Sequence, residues 1–155
     1  GVLVCAAIKN IFSMSVGASK GLCSNNVTDE TKEKNYLNTA SALIKQSIYE
    51  MEIFTEHLKG KKETVSGLAG LGDLYVSSAG GRNSKMGSYL GEGMTFSKAK
   101  KTKMEKITVE GAELIFEIGK QVKQDFSEKK LPLMIAMINA ILEDKKLEIK
   151  WDNFK

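Results

Sequence analysis

Proline, cysteine and long apolar runs are scarce in this chain of 155 residues, which contains one proline and two cysteines. The near absence of proline favours long helices over a turn-rich β-sandwich. Cys5 and Cys23 are too few and too far apart for a disulfide framework or a zinc site. We therefore expect free thiols in a reducing, cytoplasmic setting, and no metal. No run of 18 or more apolar residues occurs, so no membrane span is expected.

The chain also lacks a strong excess of either charge, since its formal net charge is only +4. A dedicated nucleic-acid binder would carry dense basic patches, and we therefore expect no nucleic-acid partner. A mildly basic chain suits an anionic metabolite. Its 42% hydrophobic and 27% charged residues are ordinary for a globular domain.

The chain does not begin with Met, and its first ten residues, GVLVCAAIKN, form an apolar run. This run lacks a preceding basic segment and is interrupted by Lys9, which is not typical of a signal peptide. We expect residues 1–155 to be one domain of a longer protein.

Apolar periodicity predicts mainly helices. Residues 2–16 are apolar almost all round, as in a buried helix that Gly17 and Gly21 would end, although a strand competes over the first few residues. Residues 33–59 predict the clearest helix, which Gly60 would end. Its apolar stripe recurs at spacings of three and four: Leu37, Ala40, Ile44, Ile48, Met51, Phe54 and Leu58.

The second half contains eight glycines between positions 67 and 93, which exclude one long stable helix there. A basic, polar segment, TFSKAKKTKMEK, follows. Residues 108–126 predict an amphipathic helix that faces Leu114, Ile115, Ile118 and Val122 inward. Pro132 fits the first position of a last apolar helix. The expected fold class is all-α, with one glycine-rich functional segment.

Three positions are candidates for chemistry. Lys9 lies within an apolar helix, where it either snorkels to the surface or acts as a buried proton donor. In AGGRNSK, two glycines precede Arg82 and Asn83 where a helix could start, which suits a phosphate site but also a simple turn. Asp73 is either a helix cap or a carboxylate that orients a hydroxyl or pairs with a lysine. The run of lysines from Lys98 to Lys106 predicts a solvated face.

Three blocks in order carry a family resemblance: GVLVCAAIKN with GASKGL, then GLAGLGDLYVSSAGGRNSKMGSYLGEGM, then ITVEGAEL. Over about residues 1–142 they resemble NAD(P)-dependent glycerol-3-phosphate dehydrogenases. The resemblance implies an oxidoreductase that interconverts sn-glycerol 3-phosphate and dihydroxyacetone phosphate, for glycerophospholipid precursor supply. It implies the helical, substrate-binding C-terminal domain, similar to that of 6-phosphogluconate dehydrogenase.

The resemblance also implies partners and a cofactor. The cofactor would be NAD or NADP, bound mainly by an N-terminal Rossmann domain, and no GxGxxG fingerprint after a strand occurs in this chain. The chain alone is therefore expected to be inactive. A homodimer is compatible with the resemblance, and the choice between NAD and NADP is left open.

Carried over by motif position, Lys9 matches the catalytic lysine, the proton donor or acceptor at the C2 oxygen, and also binds substrate. Asn10 matches a neighbour that lines the site. Asp73 matches an aspartate that contacts both the substrate and the lysine. Ser77 stands where some relatives have Thr, so that a hydroxyl is retained.

The resemblance places the phosphate and cofactor contacts later in the chain. Arg82 and Asn83 match the pair that holds the substrate phosphate, with Arg82 also near the nicotinamide cofactor. Gly81 replaces the Ser of many bacterial relatives, which leaves a backbone contact to the phosphate. Thr108 and Glu110 match positions that reach the cofactor.

Two alternatives stay open at this point. One is the substrate domain of a related dehydrogenase with another substrate, against which the GLAGLGDL block argues. The other is a helical interaction module, against which Arg82 and Asn83 after the two glycines argue.

Overall fold

The computed structural model describes residues 2–24 and 29–155, and only the backbone of residues 2–4 and 29–35. This part of the chain is helical and contains no strand, which confirms the all-α expectation. Its α-helices are α1 (Val2–Leu22), α2 (Asp29–His57), α3 (Asp73–Ala79), α4 (Arg82–Gly91), α5 (Phe96–Lys103), α6 (Glu110–Asp125) and α7 (Pro132–Leu142). A π-helical turn, Leu68–Gly72, leads into α3.

Two helices form the centre of the core. In α1 every residue from Ile11 to Ser19 is buried, and α1 contacts α2, α3, α4, α6 and α7. Almost all of α7 is buried, as its apolar sequence predicts, and Pro132 occupies the first turn as expected. Because α1 contacts α3, α4 and α6, it is the element that relates the candidate site residues to one another.

The prediction that Gly17 and Gly21 mark the end of the first helix is wrong for Gly17, which lies inside α1, whereas Gly21 is one residue before the end of the helix at Leu22. Their role is close packing against α4. A Cβ at Gly17 would lie 2.3 Å from the Ser84 carbonyl oxygen, and one at Gly87 would lie 1.9 Å from that of Met14. Each helix carries a glycine pair four residues apart, Gly17 with Gly21 and Gly87 with Gly91, so the two backbones meet directly.

Helix α2 confirms the central part of its predicted stripe but not the ends. Met51 and Phe54 are buried, whereas Leu37 and Leu58 are exposed. The helix ends at His57, and the left-handed residue after it is Lys59, with a φ of 60°, rather than Gly60. The Gly60 amide still donates to the Thr55 carbonyl at 2.8 Å and satisfies the helix end.

The basic segment after the glycines forms a helix, α5, which its sequence pattern does not predict. Thr95 caps it, since its hydroxyl accepts from the Lys98 amide at 3.4 Å. Helix α6 agrees with its predicted face, because Ile115 and Val122 are buried and Leu114 and Ile118 are half-buried.

Glu50 is a buried carboxylate that joins α2 to the start of α7. Its two oxygens accept from the backbone amides of Leu133 at 2.9 Å and Met134 at 2.8 Å, and Gln46 donates to it at 2.9 Å. Burial, only partly offset by these bonds, raises the pKa of Glu50 from 4.5 to about 7.

This raised pKa predicts that the folded chain loses stability as the pH rises. Below pH 4.5 Glu50 is protonated in both states; between 4.5 and 7 only the folded state keeps the proton, so the unfolding free energy falls over this window. We expect a loss of roughly 2–3 kcal/mol between about pH 5 and 8. Urea unfolding at pH 5 and 8 measures this difference in unfolding free energy. The difference should be smaller in Glu50→Gln than in the parent, and unchanged in Glu117→Gln, which replaces an exposed carboxyl. An equal change in unfolding free energy with pH in the parent and in Glu50→Gln would contradict the assignment to Glu50.

Candidate functional site

Lys9 and Asp73 form the ion pair that the resemblance implies. Lys9 Nζ donates to Asp73 Oδ2 at 2.9 Å, across 64 residues of sequence. The Lys9 side chain is 24% exposed and that of Asp73 is 47% exposed. Lys9 therefore neither snorkels fully to solvent nor lies unpaired in the core. Asp73 is the first residue of α3, but its carboxylate is committed to Lys9 rather than to a helix cap.

The π-helical turn before α3 determines where Asp73 stands. Gly70 in this turn packs directly on the preceding loop, because a Cβ there would lie 1.9 Å from the Val65 carbonyl oxygen. Leu74 is fully buried and anchors the start of α3. Ser77 lies one turn after Asp73 on the same side of α3 and is half-buried. The GLAGLGDL block thus sets the start of α3, and that helix places Asp73 and Ser77 on the same side.

The turn between α3 and α4 delivers Arg82 and Asn83. Gly80 is extended, and Gly81 has a φ of 104°, which residues with a Cβ rarely adopt. Ser84 fixes the turn, since its buried hydroxyl donates to the Ser78 carbonyl at 2.9 Å. Sequence reasoning missed Ser84, because a serine in the first turn of a helix has no distinctive signal by itself.

Arg82 and Asn83 contact the start of α6. Arg82 bonds the Glu110 carboxylate through its terminal Nη2. Asn83 Nδ2 donates to the other Glu110 oxygen at 3.4 Å, while Asn83 Oδ1 accepts from the Gly111 amide at 2.8 Å. Asn83 therefore caps α6 from another helix. Arg82 is the single arginine among 23 basic residues, and its side chain is 57% exposed.

The two pairs are connected through Asn10. A Cβ at Gly111 would lie 2.7 Å from the Asn10 carbonyl oxygen, so α1 touches the start of α6 immediately after Lys9. Asn10 itself is half-buried. Lys9 with Asp73, and Arg82 with Asn83 and Glu110, are thus linked by direct contacts on either side of Asn10.

Thr108 has a different environment from Glu110. It lines a cavity of about 430 Å³ together with Phe96, Lys100 and Phe116. The structure therefore brings Glu110 to Arg82 and leaves Thr108 on the wall of a neighbouring groove.

Lys100 corrects the prediction of a uniformly solvated lysine face. It is half-buried, and its ammonium donates to the carbonyls of Met104 at 2.9 Å, Glu105 at 3.2 Å and Ile107 at 2.6 Å. Lys98, Lys101, Lys103 and Lys106 are exposed, as expected. Nothing in the sequence separates Lys100 from its neighbours.

Two further findings concern residues 2–24 and 29–155. Within this part of the chain, no three His, Cys, Asp or Glu side chains are grouped as metal ligands would be. None of its helices has the length and apolar character needed to cross a membrane.

Comparison with known sequences gives a match over residues 1–150 to the family described as NAD-dependent glycerol-3-phosphate dehydrogenase C-terminus. A glycerol-3-phosphate dehydrogenase [NAD(P)+] of Maridesulfovibrio salexigens is 31% identical over 147 residues, which are 94% of this chain and 40% of the relative. One from Coxiella burnetii is 36% identical over 104 residues, 66% of this chain and 28% of the relative. The chain thus spans less than half the length of these relatives.

Comparison with solved structures agrees with the sequence matches. A glycerol-3-phosphate dehydrogenase from Coxiella burnetii superposes with a TM-score of 0.72 at 29% identity, covering 94% of this chain and 41% of that one. The enzyme of Dunaliella salina, at 21% identity, shares the fold with a TM-score of 0.72 over 99% of this chain and 26% of its own. These superpositions agree in fold, and the match over residues 1–150 shows that the chain belongs to the family described as NAD-dependent glycerol-3-phosphate dehydrogenase C-terminus.

Proposed function

We propose that this chain is the substrate-binding part of an oxidoreductase that interconverts sn-glycerol 3-phosphate and dihydroxyacetone phosphate with NAD(P)(H). One observation carries the proposal: Lys9 is held by Asp73 at 2.9 Å, and contacts through Asn10 link this pair to the single arginine. A proton donor beside an anion clamp is what a phosphorylated hydroxyketone requires.

Lys9 is the proposed proton donor and acceptor at the C2 oxygen. Its side chain, 24% exposed, projects from α1, the central helix that contacts α2, α3, α4, α6 and α7. The bond to Asp73 directs Nζ and uses one of its three donors, which leaves others for the substrate oxygen. When C2 is reduced Lys9 gives up a proton to the oxygen, and in the reverse direction it takes the proton back.

Arg82, Asn83 and the backbone at Gly81 are the proposed phosphate site. They stand at the start of α4, where the first amides of the helix favour an anion. An arginine can contact a phosphate with two parallel N–H bonds. Glu110 holds one terminal nitrogen of Arg82, so the guanidinium is oriented before the phosphate arrives.

The residues of this chain fit a supporting contact to the cofactor, with the main binding surface elsewhere. When bound, NAD(P)(H) supplies or accepts the hydride at C2. The exposed cationic Arg82 suits a negatively charged cofactor group. Glu110 is committed to Arg82 and Asn83, so its proposed effect on the cofactor acts through them. Thr108 would reach the cofactor only from the neighbouring groove.

The remaining parts of the proposal concern the whole protein. The matched region is 28% and 40% of two relatives, so more than half of each relative lies outside it. This supports a further, nucleotide-binding Rossmann domain in the whole protein. Without such a domain the chain is expected to show no turnover, because the hydride carrier would not be positioned. Free Cys5 and Cys23 are consistent with a cytoplasmic enzyme, and supply of a glycerophospholipid precursor is its proposed role. A homodimer stays a prediction.

Replacing Arg82 by Lys tests the phosphate assignment in the enzyme that carries this domain. The substitution keeps the charge and loses the forked geometry. Since a charge-assisted hydrogen bond contributes roughly 1.5–3 kcal/mol, kcat/KM for dihydroxyacetone phosphate should fall by about 10- to 100-fold. Steady-state assays of NADH or NADPH oxidation measure this.

Dihydroxyacetone is the matched control substrate, because it lacks the phosphate. Its kcat/KM should change much less in Arg82→Lys. An equal loss for both substrates would assign Arg82 to the cofactor or the fold and remove it from the phosphate site.

A further inference from the structure

The Lys100 ammonium gathers three carbonyl groups from one short segment. These belong to Met104, Glu105 and Ile107, at 2.9, 3.2 and 2.6 Å, in the connection between α5 and α6. An ammonium has three donors and no acceptor, so all of its hydrogen-bonding capacity is used by this segment. The side chain is half-buried and its carbonyl partners lie outside the helices. The contact therefore defines the course of residues 104–109, which we call the 104–109 segment.

The 104–109 segment ends where the candidate site begins. Val109, which is 2% exposed, is the last residue before α6. The next two residues are Glu110, which bonds Arg82, and Gly111, whose amide donates to Asn83. The Glu110 carboxylate contacts both site residues, so a shift of the segment would move the partner of the arginine. The first turn of α6 packs on Asn10 without room for a Cβ, so it cannot shift toward α1.

We propose that Lys100 is a positioning residue for the phosphate site: by holding the 104–109 segment, it sets where Glu110 meets Arg82 and so where the guanidinium points. This inference rests on the proposed function. It gives Lys100 a role distinct from that of the exposed lysines around it.

The test compares Lys100→Met with Lys101→Met in the enzyme that carries this domain. Lys101 is the adjacent, exposed lysine of the same helix, and its removal changes the charge equally. Lys100→Met should raise KM for dihydroxyacetone phosphate about 3- to 10-fold, with kcat within about twofold of the parent, as expected for weakened binding of one group. Lys101→Met should change neither constant.

A double-mutant cycle separates positioning from a general loss of structure. If Lys100 acts through Arg82, Lys100→Met should raise KM much less in an Arg82→Lys background than in the parent. The proposal would be overturned if Lys100→Met raised KM by the same factor in both backgrounds, or if it raised KM for dihydroxyacetone as much as KM for dihydroxyacetone phosphate. If Lys100→Met does not fold, Lys100→Gln, which keeps two N–H donors, serves in the same cycle.

Hydrogen exchange at the Gly111 amide needs no substrate and distinguishes the two proposals. Loosening of the 104–109 segment should accelerate this exchange in Lys100→Met and leave it unchanged in Lys101→Met. A parent enzyme without activity on dihydroxyacetone phosphate would remove the proposed function, even if the exchange rate responds. An active parent with unchanged KM and unchanged exchange in Lys100→Met would overturn the role of Lys100 alone.

Discussion

Replacement of Lys9 by Met is expected to lower kcat by about 10²- to 10⁴-fold in the enzyme that carries this domain, the range that general acid–base catalysis contributes. The change removes the group proposed to exchange a proton with the C2 oxygen and leaves Asp73 in place. Methionine is similar in length and suits the apolar surroundings of α1. The pair with Asp73 is partly exposed, so its loss should cost at most about 1 kcal/mol of stability.

The matched control is Lys20→Met, an exposed lysine near the end of the same helix. Its kcat should equal that of the parent, and thermal unfolding followed by circular dichroism should show both variants folded. A folded Lys9→Met enzyme with kcat within about tenfold of the parent would exclude Lys9 as the proton-transfer residue.

Replacement of Gly87 by Ala is expected to destabilise the domain strongly, although it adds only one methyl group. A Cβ at Gly87 would lie 1.9 Å from the carbonyl oxygen of Met14 and 2.7 Å from the carbonyl carbon of the same residue. Both are backbone atoms of the central helix, so neither can rotate away, and α1 and α4 must separate. Overpacking costs about 1–3 kcal/mol and occasionally more, and we expect the upper end. The melting temperature should fall by roughly 10 °C.

Gly67→Ala is the control for Gly87→Ala. Its Cβ would lie 3.5 Å from the Thr64 carbonyl oxygen, an ordinary contact at an exposed position. Circular dichroism melts should place this variant within a few degrees of the parent. Since α4 carries Arg82 and α1 carries Lys9, Gly87→Ala should also weaken activity. A melting temperature equal to that of Gly67→Ala would show that α1 and α4 are not in direct backbone contact.

Much of the helical architecture was predictable because its signals are local. Apolar spacing identified α2 and α6 to within a few residues, and Pro132 marked the first turn of α7. Local signals failed where a distant partner decides the outcome. Gly17 was expected near the end of the first helix, but α4 packs on it and α1 continues to Leu22. Helix α5 lacks an apolar stripe of its own, and buries only Ala99.

The candidate site was predictable through motifs rather than through geometry. Lys9 and Asp73 each had more than one interpretation from the local sequence, and only the structure shows that they pair with each other across 64 residues. The partner of Arg82 could not be predicted at all. Glu110 is 28 residues away and was expected at the cofactor. Glu50 and Lys100 could not be singled out, because in the sequence a buried carboxylate and a half-buried ammonium look like any surface charge.

By itself, the sequence determined the helical class, most helix positions and the family, because periodicity, turn chemistry and ordered motifs are properties of neighbouring residues. The tertiary structure alone decided which charges meet. It paired Lys9 with Asp73 and Arg82 with Glu110, and placed Glu50 and Lys100 on backbone groups of other segments. The physical reason is that such contacts depend on helix packing, in this fold on glycines that let α1 and α4 touch, and packing distance is not encoded in any local window.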